Sequence, residues 1–285
     1  MRTIVKALLA FRRQYVRSAV AGLLVSTFAV MSAPELATAA SPAVSAHQHD
    51  AAVSAPDAAT VLKSIYNVAG DGSDSYVVGK GVTATYWFGH AFERDGKQYF
   101  TGFAWETLEK QGDSGEAEAA PEAQVNLSEA TFMLSDGSWA LQHAARDIGA
   151  MGSYEKPDEV DTDRKAVEHR TPAGKLVLAI PIAGFDRGTS YSGYDVFALG
   201  KSWTHVGYLL AGEDNGAACS DGEVMPCISN LGEVTFAPDD KSDMPKLVVN
   251  FSGTTISAPG KTRELGAADA ATYVYDASKK AYESQ

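Results

Sequence analysis

The chain has 285 residues, of which 45% are apolar and 9% aromatic, and a formal net charge of −12. This is enough apolar material to bury a core, in one large domain or two small ones. The surplus of acids repels phosphate backbones and anionic lipid surfaces, which argues against a nucleic-acid partner.

The N-terminus opens on a basic segment, Arg2, Lys6, Arg12, Arg13 and Arg17, with Glu35 as the only acid before residue 41. An apolar stretch from Ala19 to Met31 follows, then Pro34 and the small residues Ala37-Thr38-Ala39-Ala40. This order is that of a cleaved export signal over residues 1–40, and its core is too short for a permanent span of about 30 Å. Phe11-Arg12-Arg13-Gln14-Tyr15-Val16-Arg17 resembles a twin-arginine signal, except that Phe11 stands where that family has Ser or Thr. Both export routes stay open. Removing the leader's five bases and one acid from 24 and 36 leaves a net charge of −16. No later segment is apolar enough to cross a membrane, so the mature chain is expected to be periplasmic or secreted.

Residues 41–58, rich in Ala, Ser and Pro, read as a disordered tether before a β-rich domain over 59–285. Cleavage after Ala46 would expose His47-Gln48-His49, a chelate spacing suited to Cu(II). Asp57 is placed to cap a short helix reaching about Ala69, with Val61, Leu62, Ile65 and Tyr66 on one face.

From Val82 the period changes to that of strands. Asp95-Gly96 predicts a tight hairpin that pairs Phe88 with Phe103, His90 with Thr101 and Phe92 with Tyr99 on one face, with Tyr86 opposite Trp105. The same register sets Gly89 against Gly102, a bare patch that invites close packing. Residues 108–128 read as a mobile acidic loop. Asp136-Gly137 predicts a second hairpin with Leu134 opposite Trp139. A further acidic connection, 155–168, suggests a seam near 154–172 between two subdomains. Lys175–Ile182 is a strong apolar strand. Val196–Leu199 and Trp203–Leu210 form a third pair, and strands recur near 233–237, 246–251 and 272–275. The sum is a mainly β fold, an antiparallel sandwich or barrel-like architecture.

Cys219 and Cys227 are the only cysteines. In an oxidising compartment they form a structural disulfide, and their spacing is not that of a redox motif. No catalytic residue, metal ligand set or cofactor motif is legible. His143, His169 and His205 lack a partner at ligand spacing, and His90 reads as a hydrogen-bonded core histidine. Gly188-Thr189-Ser190-Tyr191-Ser192-Gly193 falls short of a nucleophile elbow. Asp71–Asp74 and Asp239–Asp243 offer oxygen ligands for calcium without the EF-hand spacing. The most site-like segment is Phe185–Tyr194, where Asp186, Arg187, Tyr191 and Tyr194 combine polar tips with contact area.

Asp147-Ile148-Gly149-Ala150-Met151-Gly152, the Phe185–Tyr194 segment, the Cys219/Cys227 loop, Asp243–Val249, Gly253-Thr254 and Tyr273–Asp276 resemble uncharacterised exported bacterial envelope proteins. The resemblance implies a secreted β-rich fold with no assigned activity. The expected function is a non-enzymatic binding module for an envelope protein or small ligand. A periplasmic hydrolase with a carboxylate pair, and a copper- or calcium-binding exported protein, remain alternatives.

Overall fold

The structure is a computed structural model that describes residues 53–79, 81–107, 123–153 and 156–285. The export signal, the tether to residue 52 with its His47/His49 pair, and residues 108–122 of the acidic loop lie outside the described residues.

One α-helix precedes the sheets. Helix α1 (Ala58–Tyr66) starts where the Asp57 carboxylate accepts the Thr60 N–H at 2.8 Å. It stops before the expected Ala69 because Asn67 turns left-handed, at φ 55°, and its N–H bonds back to the Lys63 carbonyl.

Strands β1 (Ser75–Gly79), β2 (Val82–Arg94), β3 (Lys97–Glu106), β4 (Val125–Ser135) and β5 (Ser138–Met151) form a five-stranded antiparallel meander. Residues 125–128, assigned to the acidic loop by composition, belong to β4, where Val125 and Leu127 are buried. Burial overrides the local acidity. Both predicted hairpins form, with Phe88 opposite Phe103 and Leu134 opposite Trp139. Beyond Phe88 the register slips: a bulge at Trp87 sets Tyr86 against Ala104 rather than Trp105. An extra residue in one strand turns two successive side chains to one face, so Trp87 and Phe88 both join the core.

The ten-stranded sheet contains β6 (Glu159–Val160), β7 (Val167–Arg170), β8 (Leu176–Asp186), β9 (Thr189–Leu199), β10 (Trp203–Asp214), β11 (Ser229–Ala237), β12 (Lys246–Ala258), β13 (Lys261–Glu264), β14 (Ala271–Asp276) and β15 (Ala281–Ser284). Its path runs β15-β14-β12-β11-β10-β9-β8-β6, with β7 on β8 and β13 on β12. The expected acidic connection thus carries β6 and β7, both paired to β8.

Side-chain parity explains the layers. On β9, Phe197 and Leu199 point to the five-stranded sheet and pack with Phe103, Leu127 and Trp203 in the core between the sheets. The alternate residues Tyr194 and Val196 enter a second core enclosed by the same sheet as it curls into a half-barrel with Leu209, Val234, Leu247 and Tyr282. Each such fully buried side chain contributes about 1.5–3 kcal/mol. Helix α1 covers the opposite face of the meander, where Val61 packs with Phe100, Ala130 and Phe132. The bare glycine patch takes this helix: a Cβ at Gly102 would lie 2.4 Å from a Val61 methyl carbon. The fold is mainly β and antiparallel throughout. Cys219 and Cys227 form the expected disulfide, with Cα atoms 5.2 Å apart.

Candidate functional site

The intersheet core opens at one end into a cleft of about 830 Å³. On β9 the inward positions run Tyr191, Gly193, Asp195, Phe197. The last closes the core, and Tyr191 and Asp195 line the cleft. From β10 come His205 and Tyr208. Three residues apart, these would face opposite sides of a regular strand, but the register shifts between His205 and Gly207, where Gly207 takes φ 147°. His205 therefore pairs with Phe197, Tyr208 pairs with Asp195, and both point inward.

The facing wall is the end of β5 and residues 156–159. It is tied back by the Trp87 indole N–H, which donates to the Asp158 carbonyl at 3.1 Å, and by the Val125 N–H, which donates to the Ser153 carbonyl. The Asp158 side chain accepts the Tyr191 hydroxyl at 2.9 Å. Burial, then that carboxylate, push the Tyr191 phenol up to about 12, so it stays a donor at neutral pH.

Asp195 is 1% exposed, and its Oδ1 lies 2.8 Å from Nε2 of His205. Its Oδ2 is buried and has no hydrogen-bond partner among the described residues. Burial raises its pKa, against the opposing effect of His205. A cleft with an aromatic lining and a few converging polar groups has the make-up of a ligand site.

The four residues singled out from sequence separate in space. Asp186 and Arg187 sit at the tip of the β8–β9 hairpin. Arg187 and Gly188 form its two-residue turn with φ of 47° and 83°, and the Arg187 side chain is 92% exposed. The Phe185–Tyr194 segment is the tip of this hairpin and the start of β9. Tyr191 reaches the cleft. Tyr194 points to the opposite face, 1% exposed, with the Arg164 guanidinium 4.9 Å from its ring centre and its hydroxyl donating to Glu233. Asp158, Asp195, His205 and Tyr208 were missed. Alternation along β9 would have joined Tyr191 to Asp195 and excluded Tyr194; the β10 bulge leaves no local signature.

His90 and His143 each meet a single carboxylate rather than a cluster, the first between the sheets and the second within one, while His169 stacks on Phe236. His90 meets Glu168 at 2.6 Å, and His143 Nε2 lies 3.5 Å from Glu129 Oε1. Among the described residues no group of three or more His, Cys, Asp or Glu is placed to hold a metal. Asp71 and Asp239 use their carboxylates to accept nearby backbone N–H groups. A smaller pocket of about 350 Å³ lies beside His143, Thr131, Arg94 and Lys201. Set against protein-family models, curated proteins and solved structures, the chain matches none of them.

Proposed function

We propose that this chain is an exported, non-enzymatic binding module that takes a small ligand or a partner's side chain in the cleft between the end of β5 and strands β8–β10. The observation that carries the reading is the convergence of Tyr191, Tyr208, Asp158 and Asp195 on one cavity large enough for a small organic molecule. At the hairpin tip the Asp186 and Arg187 side chains stand 72% and 92% exposed and offer no enclosure. Export is supported by the basic and apolar leader together with the Cys219–Cys227 disulfide, a bond that persists outside the reducing cytosol. No described helix is long and apolar enough to cross a membrane.

Amide chemical-shift mapping against a panel of monosaccharides, amines and short peptides tests the site. Binders should perturb Tyr191, Asp195 and Tyr208 together. Shifts confined to residues 185–188, or no shifts at all, would remove the cleft from consideration.

A second reading, a hydrolase, is favoured by one observation. Asp158 and Asp195 share the cleft, and burial followed by the negative charge of Asp158 raises Asp195. A carboxyl raised by burial beside a second acid suits general acid–base work. Turnover of glycoside or ester substrates, abolished by Asp158→Asn, would establish it over simple binding.

A further inference from the structure

We propose that the cleft accepts a protonated primary amine carried on an apolar stem, either a free alkylamine or a lysine side chain. The inference rests on the binding-cleft reading and names its ligand class.

Three features converge on this chemistry. The first is Asp195. One of its oxygens takes His205, and the other is buried without a donor among the described residues. An unpaired buried carboxylate oxygen is costly, so a donor arriving through the cleft gains more there than at a solvated acid. An ammonium with three N–H groups supplies that donor; a quaternary ammonium has none.

The second feature is the aromatic lining. The Tyr191 ring lies over Gly184 and the Tyr208 ring over Gly193, where an added Cβ would come within 2.0 and 2.5 Å of ring atoms. The missing side chains leave room for both rings, which line the cleft. Phe185, 65% exposed, stands at its edge. Ring faces attract a cation and cover a hydrocarbon stem.

The third feature is charge. Among the described residues, Asp158, Glu159 and Asp195 line the cleft against a single lysine, Lys156, whose ammonium lies 2.9 Å from Glu159. Even with His205 set against its partner Asp195, Asp158 and Glu159 outnumber Lys156, and the cleft carries a net negative charge. It repels carboxylates and phosphates, and favours a cation over a neutral ligand of equal shape.

The test is calorimetric titration of the full domain with n-hexylamine, n-hexanol, hexanoate, tetraethylammonium and Nα-acetyl-lysine methylamide. Hexylamine should bind at least tenfold more tightly than hexanol, hexanoate and tetraethylammonium. If lysine side chains are the natural source, the lysine derivative should match or exceed hexylamine; if free amines are, hexylamine should lead. Asp195→Asn should weaken hexylamine at least tenfold and Phe185→Ala severalfold, with Arg187→Ala unchanged. Should Asp195→Asn fail to fold, the exposed Phe185→Ala and the preference for amine over alcohol decide. Equal binding of hexanol or hexanoate, or amine binding insensitive to Phe185→Ala, overturns the amine assignment. A neutral or anionic probe that binds and is weakened by Phe185→Ala would leave the cleft standing as a site with another ligand. Absence of binding by every probe would overturn the amine assignment, and the chemical-shift panel of sugars and peptides then decides whether the cleft binds at all.

Discussion

Asp195 on β9 and His205 on β10 meet diagonally across their hairpin, Oδ1 to Nε2 at 2.8 Å, and the shift before Gly207 turns Tyr208 to the face that this pair already shares. The pair sits where the intersheet core gives way to the cleft. It joins the stability of the hairpin to the polarity of the site.

Breaking this pair from one side leaves a buried carboxylate with neither oxygen matched. His205→Ala should lower the unfolding free energy by about 3 kcal/mol, the usual cost of orphaning a buried charge. The double variant Asp195→Ala/His205→Ala should lose less than the two single losses added together. Urea unfolding followed by tryptophan fluorescence measures both; additive losses would show that the two groups do not interact.

Glu129 gives the fold an unusual response to pH. Its side chain lies in the intersheet core, fully buried, with Oε2 accepting the Thr131 hydroxyl, which is linked through Thr101 to the Trp203 indole. Burial lifts its pKa from 4.5 to about 7, against the lowering effect of Thr131. The unfolded carboxyl therefore loses its proton near 4.5 and the folded one near 7, so the folded form holds more protons between these values. Stability must fall as pH rises through that window, and the fall ends above it. At 1.36 kcal/mol per unit, the loss attributable to Glu129 is about 3 kcal/mol. Glu129→Gln should lack it. Unfolding free energies at pH 4 and pH 8 that change equally in both proteins would refute the assignment.

The contact between helix and meander depends on a glycine. Gly102→Ala places a methyl group into the Val61 side chain, and should cost about 1–3 kcal/mol by overpacking. Val61→Ala in the same chain should restore part of that loss. If Gly102→Ala is neutral by thermal unfolding, the helix does not sit as closely as described.

The disulfide closes a loop of nine residues, Cys219 to Cys227. Reduction should cost about 2–3 kcal/mol, largely through the added freedom of the unfolded chain. Cys219→Ser should unfold at lower denaturant than the oxidised wild type, and match the reduced wild type. A midpoint unmoved by reduction would contradict a stabilising bond.

Much of the fold was legible because its signals are local. Asp-Gly turns fixed two hairpins, the Asp57 cap began the helix, and apolar runs marked β8 to β12. The site was less legible because it is built by exceptions to that alternation. The bulge at Trp87 brings an indole to the Asp158 wall, and the bulge before Gly207 aligns His205 with Tyr208. Neither leaves a pattern within a few residues. The acidity of the connections read over 108–128 and 155–168 misled for a related reason, since the pairing of β4, β6 and β7 is decided by distant partners. Tyr194 could have been set aside from sequence: it shares parity with Val196, not with Tyr191 and Asp195.

The central claim is that recognition occurs in the cleft and not at the exposed hairpin tip. Saturation-transfer NMR with a panel of amines, carboxylates and neutral sugars, run on wild type, Tyr208→Ala and Arg187→Ala, addresses it directly. The account predicts that the panel's signal survives Arg187→Ala and drops at least tenfold with Tyr208→Ala; loss with Arg187→Ala and persistence with Tyr208→Ala would contradict it.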